Sequence, residues 1–166
     1  MATENPSGIR LVQMPRQRIA LYLVISPAPE YDVSRHMEEW ALQSGLLEYP
    51  DFSPRVLGWD FPLVSKEQSE QFGLRGYVSC YTVPASFEPA CPGAQLDWME
   101  ADEYAVLRLK DPFAQPDQSI PAGWNRLHSW VEENGLNPHA LAGRYCFEEV
   151  VREGDITYMD LYHPVH

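Results

Sequence analysis

The frame Trp-x-x-x-x-Gly-Leu occurs twice in this chain, as "WALQSGL" from Trp40 to Leu46 and as "WVEENGL" from Trp130 to Leu136. Each copy closes a stretch whose apolar residues recur with helical spacing. In "YDVSRHMEEWALQSGLL", Val33, Met37, Trp40 and Ala41 fall on one face. Asp32 or Ser34 is placed to cap the start, and Gly45 suits the left-handed turn that ends it. In "PAGWNRLHSWVEENGL", Trp124, Leu127 and Val131 share a face, Pro121 belongs in the first turn and Gly135 is the stop. Trp40, Trp124 and Trp130 are therefore expected to pack helix against sheet.

The flanks repeat as well. "RIALYLVIS" precedes the first helix and "YAVLRLKDP" the second, both rich in branched and aromatic residues as strands are. "RVLGWDF" and "RGYVSCYTVP" follow the first helix; "RYCFEEVV" and "ITYMDLYHPV" follow the second. Aligning the last pair sets Tyr77 and Tyr81 against Tyr158 and Tyr162, with Ser79 opposite Asp160. Residues two and four apart on a strand face one side, so each half is expected to carry a tyrosine face on its closing strand. The order strand, helix, strand, strand occurs twice, which predicts an internal duplication. The expected fold is α+β: two such repeats about a pseudo-twofold axis, antiparallel sheets with helices packed on them, and a ligand cleft between the repeats. The expected boundaries are a disordered leader at 1–8 and one domain at 9–166. That domain divides into a first repeat (9–84), a linker (85–95) in the proline-rich "PASFEPACPGAQ", and a second repeat (96–166). "PLVSKEQSEQFGL" reads as an exposed loop inserted in the first repeat.

Composition narrows the partners. Of 166 residues, 45% are hydrophobic and 22% charged, the balance of a soluble globular protein. The termini carry no apolar run long enough to span a membrane, and no basic-then-apolar signal peptide is expected. A net charge of −12, with 12 scattered basic residues, argues against direct binding of nucleic acid. It favours solubility, a cationic ligand or a basic protein partner. Cys80, Cys91 and Cys146 are odd in number and form no C-x-x-C, which fits a reducing cytoplasm and buried thiols.

"YAVLRLKDPF", "WNRLHSWVEENGL", "YCFEEV" and "DLYHPV" together resemble the GyrI-like effector-binding domain. That domain occurs in DNA gyrase inhibitory proteins and, joined to helix-turn-helix domains, in multidrug-sensing transcription activators. The resemblance runs from about Ile9 and is strongest from Trp98 onward. It implies two strand-helix-strand-strand repeats and a pocket for lipophilic, often cationic, molecules. The family's Phe-Glu-x-Tyr motif is matched by Phe147 and Glu148, with Val150 in place of the tyrosine. "KDPF" lacks a glycine common at that turn. The resemblance makes Glu148 the pocket acid and, through "DLYHPV", Tyr162 the pocket tyrosine. No helix-turn-helix segment is present, so the chain is not expected to be a complete transcription activator.

The chemistry of such a site follows from desolvation. A buried carboxylate among aromatic rings is stabilised when a cation enters, and ring faces attract cations at about 0.5–2 kcal/mol each. Glu148, Tyr162, Tyr158, Tyr81 and Tyr77 form the expected binding set. Phe147 and its counterpart Trp59 join it, as do Asp60, at the position of Glu148 in the first half, and Trp98 at the pocket mouth. Glu149, on the opposite face of its strand from Glu148, is expected in solvent. The expected function is binding of an amphipathic, cationic small molecule, as sensor or sequestering protein. One alternative is a hydrolase of electrophilic toxins using Glu148 and Asp60, since some members of the family open reactive cyclopropane-containing toxins. Another is an acidic interaction module that meets gyrase or a separate regulator. No cofactor and no metal are expected: His36, His128, His139, His163 and His166 lack ligand spacing beyond the terminal pair, and no motif of a nucleotide-binding, serine-hydrolase or zinc-protease type occurs.

Overall fold

A computed structural model describes residues 7–136 and 146–165. In chain order the elements are β1 (Ile9–Met14), β2 (Gln17–Ser26), α1 (Pro29–Gln43), a 3-10 turn (Leu46–Glu48), β3 (Val56–Phe61), α2 (Lys66–Phe72), β4 (Arg75–Val83), β5 (Gln95–Met99), β6 (Asp102–Lys110), α3 (Pro116–Glu133), β7 (Phe147–Glu153) and β8 (Ile156–Pro164). The architecture is α+β, with helices packed on antiparallel sheet. Two compact units form: a central unit, residues 16–100, and a terminal unit, in which residues up to 15 join residues from 101 onward.

In the central unit the strand order is β3-β4-β2-β5. Val33, Met37, Trp40 and Ala41 of α1 bury against Ala20, Tyr81, Val83 and Phe87, the face expected from their spacing. Burying side chains of this size contributes roughly 1.5–3 kcal/mol each. The helix begins earlier than expected, at Pro29, whose fixed φ favours a first position. Asp32 caps nothing; its carboxylate accepts the Ser26 hydroxyl at 2.6 Å. Gly45 takes the left-handed turn at φ 88°.

Two stretches carry more structure than their composition promises. Within "PLVSKEQSEQFGL", residues 66–72 are helix α2 rather than loop. Ser65 and Gln68 form a reciprocal capping box, and Gly73 ends the helix at φ 65°. In the proline-rich segment, Phe87 is buried edge-on to Trp40 and Tyr49, and Arg18 donates to the carbonyls of Ala85 and Phe87. That segment is part of the central unit's core. Strand β5, read from the sequence with the second repeat, pairs with β2.

The terminal unit has the order β1-β6-β8-β7. Its first strand, read from the sequence with the first repeat, pairs with β6. Leu127 and Val131 of α3 pack on Ala105, Leu107, Met159 and Leu161, with Trp124 and Trp130 partly buried beside them. Helix α3 starts at Pro116, so Pro121 lies inside it, not in its first turn. Gly123 lets the helix close on the sheet, since a Cβ there would stand 2.9 Å from Leu109 and 3.0 Å from Leu161. Residues 1–6 of the expected leader, Arg144 and Tyr145 of the expected strand, and His139 and His166 lie outside the described residues.

Both units thus repeat strand, helix, strand, strand with equivalent strand orders, yet their tyrosines differ. Tyr77 and Tyr81 face α1 and pack in the central core. Tyr158 and Tyr162 alternate with Met159 and Leu161, which pack beneath α3, and so face the other way. The expectation of matching tyrosine faces is corrected here. The ladder shows why: Phe147 pairs with Tyr162, whereas its counterpart Trp59 pairs with Val78. The tyrosine alignment was therefore offset by an odd number of residues, which inverts the face.

The Tyr77 ring lies directly over Gly58, leaving no room for a Cβ. Gly58→Ala is expected to lower stability by about 1–3 kcal/mol in urea melts, the usual cost of overpacking. An unchanged melt would show that Tyr77 does not belong to this core.

Candidate functional site

The polar chemistry of the terminal unit collects on the face of its sheet away from α3. Alternation and register place Tyr104, Val106 and Arg108 of β6 there, with Tyr158, Asp160 and Tyr162 of β8 and Phe147, Glu149 and Val151 of β7. Arg10 of β1 joins them at the edge.

Three rings form its apolar part. Phe147 and Tyr162 stack with centroids 4.4 Å apart, and Tyr104 meets them edge-on at 5.1 and 5.9 Å. All three are buried. Such pairs contribute about 0.5–1.5 kcal/mol beyond the burial of their area.

Two buried carboxylates stand beside the rings, directly opposite each other across β7 and β8: Glu149, 7% exposed, and Asp160, 2% exposed. Like charges at such a cross-strand position oppose folding unless compensated. Asp160 receives both arms of Arg108, from Nε at 2.8 Å and Nη2 at 3.0 Å. This bond, above the other causes, raises the guanidinium pKa beyond its ordinary range. Glu149 receives the Tyr162 hydroxyl at 3.0 Å. Arg108 also donates to Glu153 at 3.1 Å and lies 4.9 Å from the centre of the Tyr158 ring.

Of the expected site residues, Phe147, Tyr158 and Tyr162 come together on this face. Glu148 does not: it lies on the α3 side of β7, with Val150, while Glu149 is buried instead of solvated. Strand alternation requires the exchange, because adjacent residues such as Phe147 and Glu148 cannot share a face. Asp160, Arg108 and Tyr104 were missed as site residues, although each lies an even number of places from a neighbour on this face.

The expected residues of the central unit do not gather. Tyr77 and Tyr81 are in the core, and Trp59 and Asp60 point to opposite faces of β3. Trp98, on β5, is partly exposed beneath the Arg16 guanidinium, 4.1 Å from its ring centre. Asp60 borders a shallow, solvent-open cavity of about 280 Å³ with Phe61, Pro62 and Arg75. Burial first, then the Glu30 carboxylate, push its carboxyl above the usual range, and Arg75 pulls the other way. Arg75 itself is clasped by both oxygens of Glu30, at 2.6 and 2.9 Å.

Neither thiol with a displaced pKa has the character of a nucleophile: burial pushes Cys80 up to about 12 and Cys146 up to about 11. Among the described residues no cluster of three His, Cys, Asp or Glu side chains could hold a metal ion. No helix among them is long and apolar enough to cross a membrane.

Comparison with solved structures identifies the architecture. The C-terminal domain of EcmrR superposes with a TM-score of 0.68 over 95% of this chain and 96% of that domain, at 15% identity. The chain has the GyrI-like fold. A hydrolase from Listeria innocua shares it, with a TM-score of 0.62 and 11% identity over 96% of this chain and 92% of the other. So does SAV2435 bound to tetraphenylphosphonium, with a TM-score of 0.54 and 13% identity over 95% of this chain and 93% of the other. Neither protein-family models nor curated proteins give a match by sequence.

A carboxyl whose pKa is raised on folding keeps its proton longer in the folded state, so stability falls as pH climbs from roughly 4, the unfolded value, through the raised one. Asp60→Asn is expected to flatten that fall and raise the melting temperature at neutral pH. Thermal melts of both proteins across this range check it, and parallel pH profiles would contradict it.

Proposed function

We propose that the protein binds an amphipathic cationic small molecule on the aromatic and acidic face of its terminal unit, as a sensor or sequestering protein. The observation that carries this reading is the buried Glu149 carboxylate, held by the Tyr162 hydroxyl beside the stacked rings of Phe147, Tyr162 and Tyr104. A desolvated carboxylate gains from an incoming positive charge, and ring faces add attraction without dictating the ligand's shape. That combination favours broad recognition of lipophilic cations. A protein of the same fold, SAV2435, has been captured with tetraphenylphosphonium, a lipophilic cation. The proposed role of pocket acid passes from Glu148 to Glu149, and Tyr162 keeps the role of pocket tyrosine. The recurring element order in the two units supports reading the chain as an internal duplication with one chemically specialised half.

A second reading, hydrolysis of an electrophilic ligand, is favoured by the same pair. Glu149 and Tyr162 in hydrogen-bond contact are a general base and a proton donor at one spot, and a Listeria innocua hydrolase shares the fold. A binder returns its ligand intact; a hydrolase returns it with one water added.

Isothermal titration with tetraphenylphosphonium is expected to show binding that Glu149→Gln weakens at least tenfold, about 1.4 kcal/mol. Glu148→Gln, on the other face of the strand, is expected to leave affinity unchanged. Equal losses in both variants, or none in either, would contradict the assignment. Mass spectrometry of reactive epoxides and cyclopropanes incubated with the protein decides between binding and hydrolysis.

A further inference from the structure

Two histidines of the terminal unit meet where α3 lies against β8. His163 shares the face of β8 that carries Met159 and Leu161, in the layer beneath the helix, and is 2% exposed. His128 follows the buried Leu127 on α3, and its own side chain is 46% exposed. His128 Nδ1 stands 3.3 Å from His163 Nε2, and the two rings are tilted by 41°. The partners are 35 positions apart in the chain, so no local motif announces them.

The outer nitrogen of each ring faces an acceptor. His163 Nδ1 lies 2.7 Å from the Pro164 carbonyl oxygen, which can only accept, so Nδ1 carries a hydrogen. His128 Nε2 lies 3.3 Å from Glu132 Oε1, one helical turn along, and a carboxylate likewise draws the hydrogen to Nε2. A neutral imidazole has one N–H and one lone pair, so these tautomers turn both lone pairs toward the gap between the rings. Two facing lone pairs repel unless a positive ion lies between them. We propose that His128 Nδ1 and His163 Nε2 are the protein ligands of a divalent metal site of the zinc type, which ties α3 to β8.

The spacing fits the ion. At zinc–nitrogen distances of about 2.0–2.1 Å, nitrogens 3.3 Å apart subtend about 104–111° at the metal, a range that includes the tetrahedral angle. A carboxylate behind one ring and a backbone carbonyl behind the other are the outer partners that metal-bound histidines commonly keep. Burial and the Pro164 carbonyl fix His163, while the half-exposed His128 ring can turn onto the ion and leaves it a path from solvent. Among the described residues no cluster of three His, Cys, Asp or Glu side chains could hold a metal, so water or an outside ligand completes the shell. The site is therefore open rather than closed. It is also separate from the aromatic and acidic face, because His163 and Tyr162 are adjacent on β8 and point to opposite sides.

Calorimetric titration of the full chain with zinc chloride, after treatment with EDTA and dialysis, tests this. One zinc per chain is expected to bind, and His128→Gln and His163→Gln are each expected to weaken it at least tenfold. His163 is buried and its variant can fail to fold; His128 is half-exposed, so His128→Gln keeps the test decisive, and circular dichroism establishes that it is folded. His36→Gln, in the central unit, is expected to bind zinc as the wild type does. Saturating zinc is expected to raise the melting temperature of the wild type and not that of His128→Gln, since an ion bound only by the folded chain stabilises it. If the wild type takes up no zinc, or if folded His128→Gln binds it with unchanged affinity, the metal site is overturned.

Discussion

The bidentate contact between Arg108 and Asp160 is the interaction on which the polar face of the terminal unit depends. Removing a carboxylate from water costs several kcal/mol, and a like charge directly across the ladder adds to that cost. Asp160 meets both conditions, being 2% exposed and opposite Glu149. The neighbouring strand supplies the compensating guanidinium from the directly opposed position, so the register of β6 on β8 and the charge pairing specify each other. Glu149, across the ladder from Asp160, is buried with the Tyr162 hydroxyl donating to it, beside the packed rings of Phe147, Tyr162 and Tyr104. Breaking one half of such a pair typically costs about 3–5 kcal/mol, far more than the intact pair contributes.

The two units show how one topology carries two chemistries. Each lays a helix across an antiparallel sheet in which the strand before the helix lies beside the closing strand. In the central unit the closing strand turns its tyrosines toward the helix, where they serve as packing. In the terminal unit the closing strand turns aliphatic Met159 and Leu161 to the helix and its tyrosines to the other face. A shift of an odd number of residues is sufficient to exchange core for site, because side chains alternate with a period of two.

Much of the fold was legible because its signals are local and periodic. The Trp-x-x-x-x-Gly-Leu frame marked both helix ends, and Val33, Met37, Trp40 and Ala41 faced the core as their spacing required. The starts were harder, since Pro29 and Pro116 begin their helices without a side-chain cap. Helix α2 carried a readable capping box, Ser65 with Gln68, that its polar composition hid. The partners of β1 and β5 were not legible, because strand pairing depends on residues far away in the chain. In the candidate site the aromatic members Phe147, Tyr158 and Tyr162 could be read from the sequence. The motif named Glu148, which alternation puts on the opposite face of β7 from Phe147; Glu149 shares the face of Phe147. Arg108 could not be found from its own strand, where it is one charge in an apolar run; its meaning comes from Asp160, 52 residues later.

This face of the terminal unit holds two buried carboxylates, one receiving the Tyr162 hydroxyl and one the Arg108 guanidinium, beside three packed rings, and the proposed reading is that it accepts a cation. The central claim is that charge, not shape, decides what binds there. Calorimetric titration of the wild-type protein with tetraphenylphosphonium and with tetraphenylborate tests it most directly, because the two ions share size and shape and differ in sign. The account predicts saturable binding of the cation and none of the anion at the same concentrations. Equal affinity for both would contradict it, and would reduce the aromatic face to a patch that takes any apolar body of the right size.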